Sequence, residues 1–319
     1  MSTVESPIRS APVQVGPALS RAFGRLLALS RAVWKVVRSD YLALTGFIII
    51  SFFIVAALIA WLAPGLVPFS QQGQGLEYDA ALKWTAPSWP HIMGTDELGR
   101  DLFSRIWFGS SIALEMGALT VAIAFPVGVI LGVVAGYIGK LTEEVIMRVT
   151  DMFLAFPTIL LAFVIAATLS EHGTFGLIIA MAVSFWPWYT RLVHAQVLQV
   201  RSQPFIEAAV VLGLPRRRVI FRHVLPNSLT SATIQATMDF GSAILIGSSL
   251  SWIGLGAAPP TPDWGVMFYT AYLQGSIITY WWYTTFVGLA IFLVVLAFNL
   301  LGDGFREALD PKLRRRRLF

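Results

Sequence analysis

The 319 residues are 56% hydrophobic and 13% charged, with a mean hydropathy of +0.70 and a net charge of +5. A soluble chain of this length carries about twice that share of charge, so composition alone describes an integral membrane protein. With no cysteine, disulfides, thiolate metal sites and cysteine nucleophiles are excluded, and His91, His172, His194 and His223 lack any metal-ligand spacing.

In chain order, residues 1–40 read as a tail. Arg21, Arg25, Arg31, Lys35 and Arg38 share one side of a helical projection, and Leu26, Leu29, Val33, Val36 and Val37 the other. This pattern predicts a helix over 18–38 lying in the membrane interface, its basic face toward anionic headgroups. The alternative is a cytoplasmic extension of the first span. No cleavable leader is expected, because the first apolar run begins only at Tyr41.

A crossing needs about 20 apolar residues. Runs at 41–63, 109–136, 152–170, 175–197, 227–256 and 280–301 meet that need, which predicts an all-α bundle of six transmembrane helices. The expected units are 41–108, the first helix with an external loop, and a five-helix core over 109–305, followed by a basic tail at 306–319. Arg191 and His194 close the fourth run, where long side chains reach the interface. With both termini cytoplasmic, every lysine and arginine except Lys83, Arg100 and Arg105 falls inside, as the charge rule for membrane proteins requires.

The stretch after the first span contains Gly94, Thr95, Asp96, Glu97, Leu98, Gly99, Arg100 and Asp101. Its polar residues and two glycines predict a turn with several side chains aimed outward, Asp96 and Asp101 bonding to Arg100 and the backbone rather than holding a cation. In the second run, Gly128, Gly132 and Gly136 recur every fourth residue, a spacing that lets two helices approach closely. Pro126, Pro157 and Pro187 each fall inside a run and predict breaks or kinks. Two acids sit at membrane depth, Glu115 and Asp239. Glu115 lies near the outer end and can reach water. Asp239 has no evident basic partner; it either faces a water-filled path, meeting a cationic group of a solute, or serves as a hydrogen-bonded packing residue.

Between the fourth and fifth runs, Pro204 suits a helix start and Glu207 its positive first turn. Ala208 and Ala209 leave the backbone close to whatever packs there; Gly213 suits a left-handed stop, and Pro215 cannot continue the helix. The segment is either a docking helix or an ordinary loop helix. Further on, Pro259, Pro260 and Pro262 stiffen an external loop in which Trp264 is either an exposed anchor for a partner or part of an aromatic belt with Trp281 and Trp282.

No nucleotide site is present. Gly139-Lys140 is the nearest approach to a phosphate loop, but Val134 stands where the upstream glycine belongs and Leu141 where Ser or Thr belongs. Any active transport must draw on an ion gradient or a separate ATPase. An ion-coupled carrier using Asp239 or Glu115 is the main rival, though no internal repeat is visible. A membrane enzyme or scaffold is a further rival, and no nucleophile, metal cluster or cofactor motif supports the enzyme.

Taken together, the 94–101 segment, the loop ending in His223, Leu225 and Pro226, the residues 249–256, 260–265, 299–304 and 308–311 resemble the C-type permeases of dipeptide/oligopeptide/nickel ABC importers. The resemblance covers about 41–312. It identifies 204–226 as the EAA loop, with Glu207, Ala208, Ala209, Gly213, His223, Leu225 and Pro226 at the ATPase-docking positions. His223, where importers in general carry an aliphatic residue, points to the peptide branch. The resemblance implies a type I importer permease fold in the inner membrane and four kinds of partner: a second permease subunit, two ATPase subunits that hold ATP and Mg, an external substrate-binding protein, and lipid. It implies no cofactor on this chain and no nucleic-acid partner. Peptides lead as solute; nickel or a metal chelate, glutathione and oligosaccharides are the alternatives.

Overall fold

A computed structural model describes residues 37–38, 40–67, 79–274 and 278–309. The interfacial helix expected over 18–38 lies outside these residues apart from Val37 and Arg38, as does the basic tail beyond Leu309. The chain is helical almost throughout; among the described residues the β features reduce to one bridge, Thr95 to Asp101.

Helix α1, Tyr41–Leu62, opens where the Asp40 carboxylate accepts from the Leu42 N–H. Its 22 residues rise about 33 Å, enough to cross the hydrocarbon core. Helix α2, Leu102–Ile138, is continuous through Pro126 and stops at Gly139, whose φ of +71° a side chain would resist.

The third predicted crossing is not one helix. Helix α3, Lys140–Leu154, and helix α4, Thr158–Thr168, meet at 87°. Pro157 has no N–H to donate and disfavours helical geometry at Phe156, so the chain turns there. Eleven residues of α4 rise only about 16 Å, too little to cross alone. Pro187, by contrast, stays within helix α5, Gly173–Arg201.

Helix α6, Pro204–Val211, is the short element after α5. Beyond it, Arg216–Val219, a π-helical Ile220–Val224 and Leu225–Ser228 lead into helix α7, Thr230–Leu250. Pro226 falls just after the π turn, which the Leu225 N–H closes on the Ile220 carbonyl; such bulges absorb a missing donor. Helices α8, Trp264–Leu273, and α9, Trp281–Leu309, complete the bundle. Among the described residues five helices are long and apolar enough to span a membrane, or six crossings if α3 and α4 together form one bent span.

The tightest pairing is α2 on α5, and the glycine stripe explains it. A Cβ at Gly128 would stand 2.3 Å from the Tyr189 Cβ, one at Gly132 2.7 Å from the Thr190 carbonyl oxygen, and one at Gly136 2.8 Å from Val197 Cγ1. The backbones therefore meet at these positions, as four-residue spacing predicts. Gly128→Leu should cost about 1–3 kcal/mol through overpacking, read as a lowered Tm of the detergent-purified protein. An unchanged Tm would mean that the helices separate at no cost.

Helices α1, α7 and α9 form the other half of the core, where Gly46 lies against the Ala297 carbonyl and Gly302 against Met238. Gly304 of α9 meets Ala43 of α1, so the start of α1 and the end of α9 lie at one end of the bundle. Arg201 donates to the Gly136 carbonyl, which brings α6 to that same end. The 79–101 and 256–263 loops lie at the opposite end.

Candidate functional site

The α6 segment is a small, rigid projection. Pro204 occupies its first turn and Glu207 also falls there. At its far end the Gly213 N–H donates to the Val210 carbonyl (3.0 Å) and the Leu214 N–H to the Ala209 carbonyl (3.2 Å), a left-handed stop for which Gly213 takes φ +74°. Ile206 and Ala209 are buried against Val193, Val197, Val219 and Val224, fixing the helix to the end of α5 and to the 216–224 connector that leads into α7. Its other face is bare: Val210, Val211 and Leu212 are 55%, 85% and 79% exposed. Glu207, Ala208, Gly213 and Pro226 are exposed, while His223 and Leu225 are half-buried. Arg216, Arg217, Arg218 and Arg222, in the segment that follows, are exposed. Of the two alanines, only Ala208 is free for a partner; Ala209 is spent on the chain's own core.

At the opposite end the 94–101 loop differs from the outward-facing turn expected from its polarity. Thr95 and Asp96 are fully buried and Glu97, Arg100 and Asp101 nearly so. Asp96 Oδ1 accepts from the N–H groups of Leu98 and Arg100, both at 2.9 Å, and Oδ2 from Arg100 Nε at 2.6 Å. Arg105 Nε stands 3.2 Å from the same oxygen. Arg100 also donates to Glu97 at 2.6 Å. Burial, with Asp96 alongside, pushes the Glu97 carboxyl up from the ordinary range. Asp101 accepts from the Ser104 N–H and so caps α2, while His91 Nδ1 bonds its other oxygen at 2.9 Å. The expected bonding of Asp96 to Arg100 is present; the exposure is not. Gly94, at φ +79°, packs against Trp282, and Gly99, at φ +77°, against the Asp79 backbone.

Trp264 is likewise no exposed anchor. It is 2% exposed, donates through Nε1 to the Ile106 carbonyl at 3.2 Å, and meets Phe53 edge-on. Gly109 leaves the space, since a Cβ there would lie 2.4 Å from Trp264 Nε1. Asp263 caps α8 through the Gly265 and Val266 N–H groups and accepts from the Ser251 hydroxyl at 3.0 Å. Burial raises its carboxyl, against the pull of these donors. Arg105 donates to the Pro260 carbonyl, joining this loop to the 94–101 clamp.

At membrane depth a cavity of about 560 Å³ opens between α4, α5 and α7. Asp239 lines it together with Gln235, Ser242, Ile246, Arg191, Trp188, Phe185 and Thr158. Gln235 Nε2 donates to Asp239 Oδ1 at 2.9 Å. Asp239 is thus hydrogen-bonded and also lines a cavity. Glu115 lies exposed on the side of α2, away from these residues. Arg191 and His194 are paired: Arg191 donates to Asp151, and His194 Nε2 stands 2.7 Å from Glu143 Oε1. Both acids come from α3, whose position the sequence reading did not anticipate. Gln235 and Ser242 were also missed, although spacings of four and three residues from Asp239 put them on its helix face. Among the described residues no group of three or more His, Asp or Glu gathers to hold a metal.

Residues 128–315 match the family described as binding-protein-dependent transport system inner membrane component. The chain is 40% identical over 286 residues to the dipeptide transport system permease protein DppC of Alkalihalophilus pseudofirmus, covering 89% of this chain and 90% of that one. It is 37% identical to the probable D,D-dipeptide transport system permease protein DdpC of Escherichia coli K12 (89% and 91% covered). With the glutathione transport system permease protein GsiD of Pectobacterium atrosepticum the identity is 38%, over the same shares of the two chains. Among solved structures, a chain of the MetNI methionine ABC transporter in an inward-facing form superposes with a TM-score of 0.51 at 20% identity, over 66% of this chain and 97% of that one, a likeness of fold. A multi-pass helical bundle with this fold, matched along most of its length by transport permeases, belongs to the binding-protein-dependent transport system inner membrane components.

Proposed function

We propose that this chain is one permease half of an ATP-driven importer for di- or oligopeptides. In this reading it stands in the inner membrane with the α6 end, and hence both termini, in the cytoplasm. A second permease subunit completes the path, two ATPase subunits bearing ATP and Mg bind inside, and a substrate-binding protein delivers the solute outside. The observation that carries the reading is the anchored α6 helix with its bare apolar tip. An exposed apolar cluster of this kind, on a helix anchored by its other face and followed by exposed arginines, has the form of a protein-docking element. Closure of the ATPase pair would move α6, and because Ile206 and Ala209 tie it to α5 and to the 216–224 connector leading into α7, those helices would shift as rigid bodies. Glutathione, the solute in the name of one relative, is a second reading and is itself a peptide.

The test is uptake by proteoliposomes holding the complete importer. Dialanine should accumulate with ATP present and the proton gradient collapsed, and should stop on ATP depletion. Accumulation driven by a proton gradient without ATP would replace this reading with that of an ion-coupled carrier.

A further inference from the structure

The cavity between α4, α5 and α7 contains an imbalance of charge. Its guanidinium, Arg191, already has an anion, donating to Asp151 of α3. Its carboxyl, Asp239, is only 9% exposed and has the Gln235 amide as its hydrogen-bond donor. The buried Tyr189 hydroxyl approaches the same carboxyl without completing a bond. Among the described residues no lysine, arginine or histidine lies within ion-pair distance of Asp239. An acid held at membrane depth is costly, and the common compensation is a cationic partner. Here that side of the carboxyl opens on about 560 Å³ of cavity, within the usual range for a small-molecule site. Trp188 and Phe185 supply an aromatic wall and Ser242 and Thr158 hydroxyls, so that a solute would find one fixed charge and otherwise adaptable contacts.

We propose that this cavity is a solute-contact site within the path and that Asp239, oriented by Gln235, receives a protonated amino group of the passing solute. The proposal rests on the permease reading and adds to it the class of solute favoured: one bearing an ammonium group, such as the free amino terminus of a short peptide. Arg191, already paired, would face the solute's carboxylate only weakly.

The absence of cysteine makes the charge preference directly measurable. Ser242→Cys puts a single thiol on this chain in the cavity wall. In the purified importer complex, its labelling by an ammonium-bearing and by a sulfonate-bearing methanethiosulfonate is followed by mass. The ratio of the two rates cancels any change in the reactivity of the thiol itself. Divided by the same ratio for a small free thiol, whose anionic thiolate already prefers a cationic reagent, it should favour the ammonium reagent by about tenfold, given one fixed charge a few ångströms away in a medium less polar than water. Added Asp239→Asn should bring the ratio close to one, and Asp239→Glu should keep it. Asp239→Ser, which also removes the carboxylate, should lower it likewise and serves if Asp239→Asn fails to assemble. A ratio that removal of the Asp239 carboxylate leaves unaltered overturns the proposal. Dialanine uptake separates the two readings: a complex that carries none yet shows the Asp239-dependent ratio loses the peptide reading and keeps the cation site. A complex that carries dialanine with unchanged rate and KM after Asp239→Asn loses the cation site and keeps the peptide reading.

Discussion

Asp96→Ala should be the most damaging single substitution in the described bundle, lowering stability by about 3–5 kcal/mol, because it leaves buried charge without its partner. Two oxygens of one fully buried carboxylate hold two backbone N–H groups and the Arg100 guanidinium, with Arg105 in ion-pair contact. Arg100 would keep Glu97, but Arg105 would lose its closest anion while only 3% exposed. The damage should spread, since Arg105 also holds the Pro260 carbonyl and so joins the two loops at this end. Asp96→Asn separates the contributions: its carbonyl can still accept from Leu98 and Arg100, while its NH₂ group would face the guanidinium. Thermal unfolding in detergent should therefore order the proteins wild type, then Asp96→Asn, then Asp96→Ala. A loss below about 1 kcal/mol in the alanine variant would show that the clamp contributes little beyond shape.

The second large effect concerns binding rather than folding. Val211→Asp combined with Leu212→Asp should leave the Tm of the isolated chain almost unchanged, since exposed positions usually shift stability by about 0.5 kcal/mol or less. It should nonetheless abolish association with the ATPase subunits. Apolar residues at the centre of an interface contribute about 2 kcal/mol or more each when they act as anchors, and buried unpaired carboxylates add a penalty. Together the two changes should weaken docking by well over a hundredfold. Gly213→Ala is the graded companion. No atom lies within 4 Å of the added Cβ, so its cost comes from φ +74° alone, about 1 kcal/mol at the helix stop. Co-purification of the ATPase subunits, with uptake measured in parallel, checks both. Retained co-purification in the double aspartate variant would move the docking surface away from the α6 tip.

Much of the α6 element was legible because its signals are local. Pro204 at the start, Glu207 in the first turn and Gly213 at the stop act within a few residues of backbone, and each adopts the geometry its chemistry favours. The glycine stripe of α2 was legible for a related reason, in that a helix places every fourth residue on one face. Which helix would meet that stripe was not.

Composition and periodicity by themselves determined that this chain lives in a membrane, how many apolar runs it brings there, and where the chain must turn or stop. Burial of the polar loops depended on the tertiary structure. A segment as polar as 94–101 reads as solvent-facing, because sequence carries no sign that Arg100 and Arg105 converge on one aspartate. Trp264 reads as exposed until Gly109, on another helix, leaves room for its ring. The bend at Pro157 was likewise undecided, since Pro126 and Pro187 leave their helices continuous. Asp239 shows the same division: its charge and depth are properties of the sequence, but only the packing of α4, α5 and α7 gave it a cavity to face. The reason is physical. Helix formation and membrane partition depend on neighbours along the chain, whereas desolvation, charge pairing and cavity shape depend on groups that meet only across the fold.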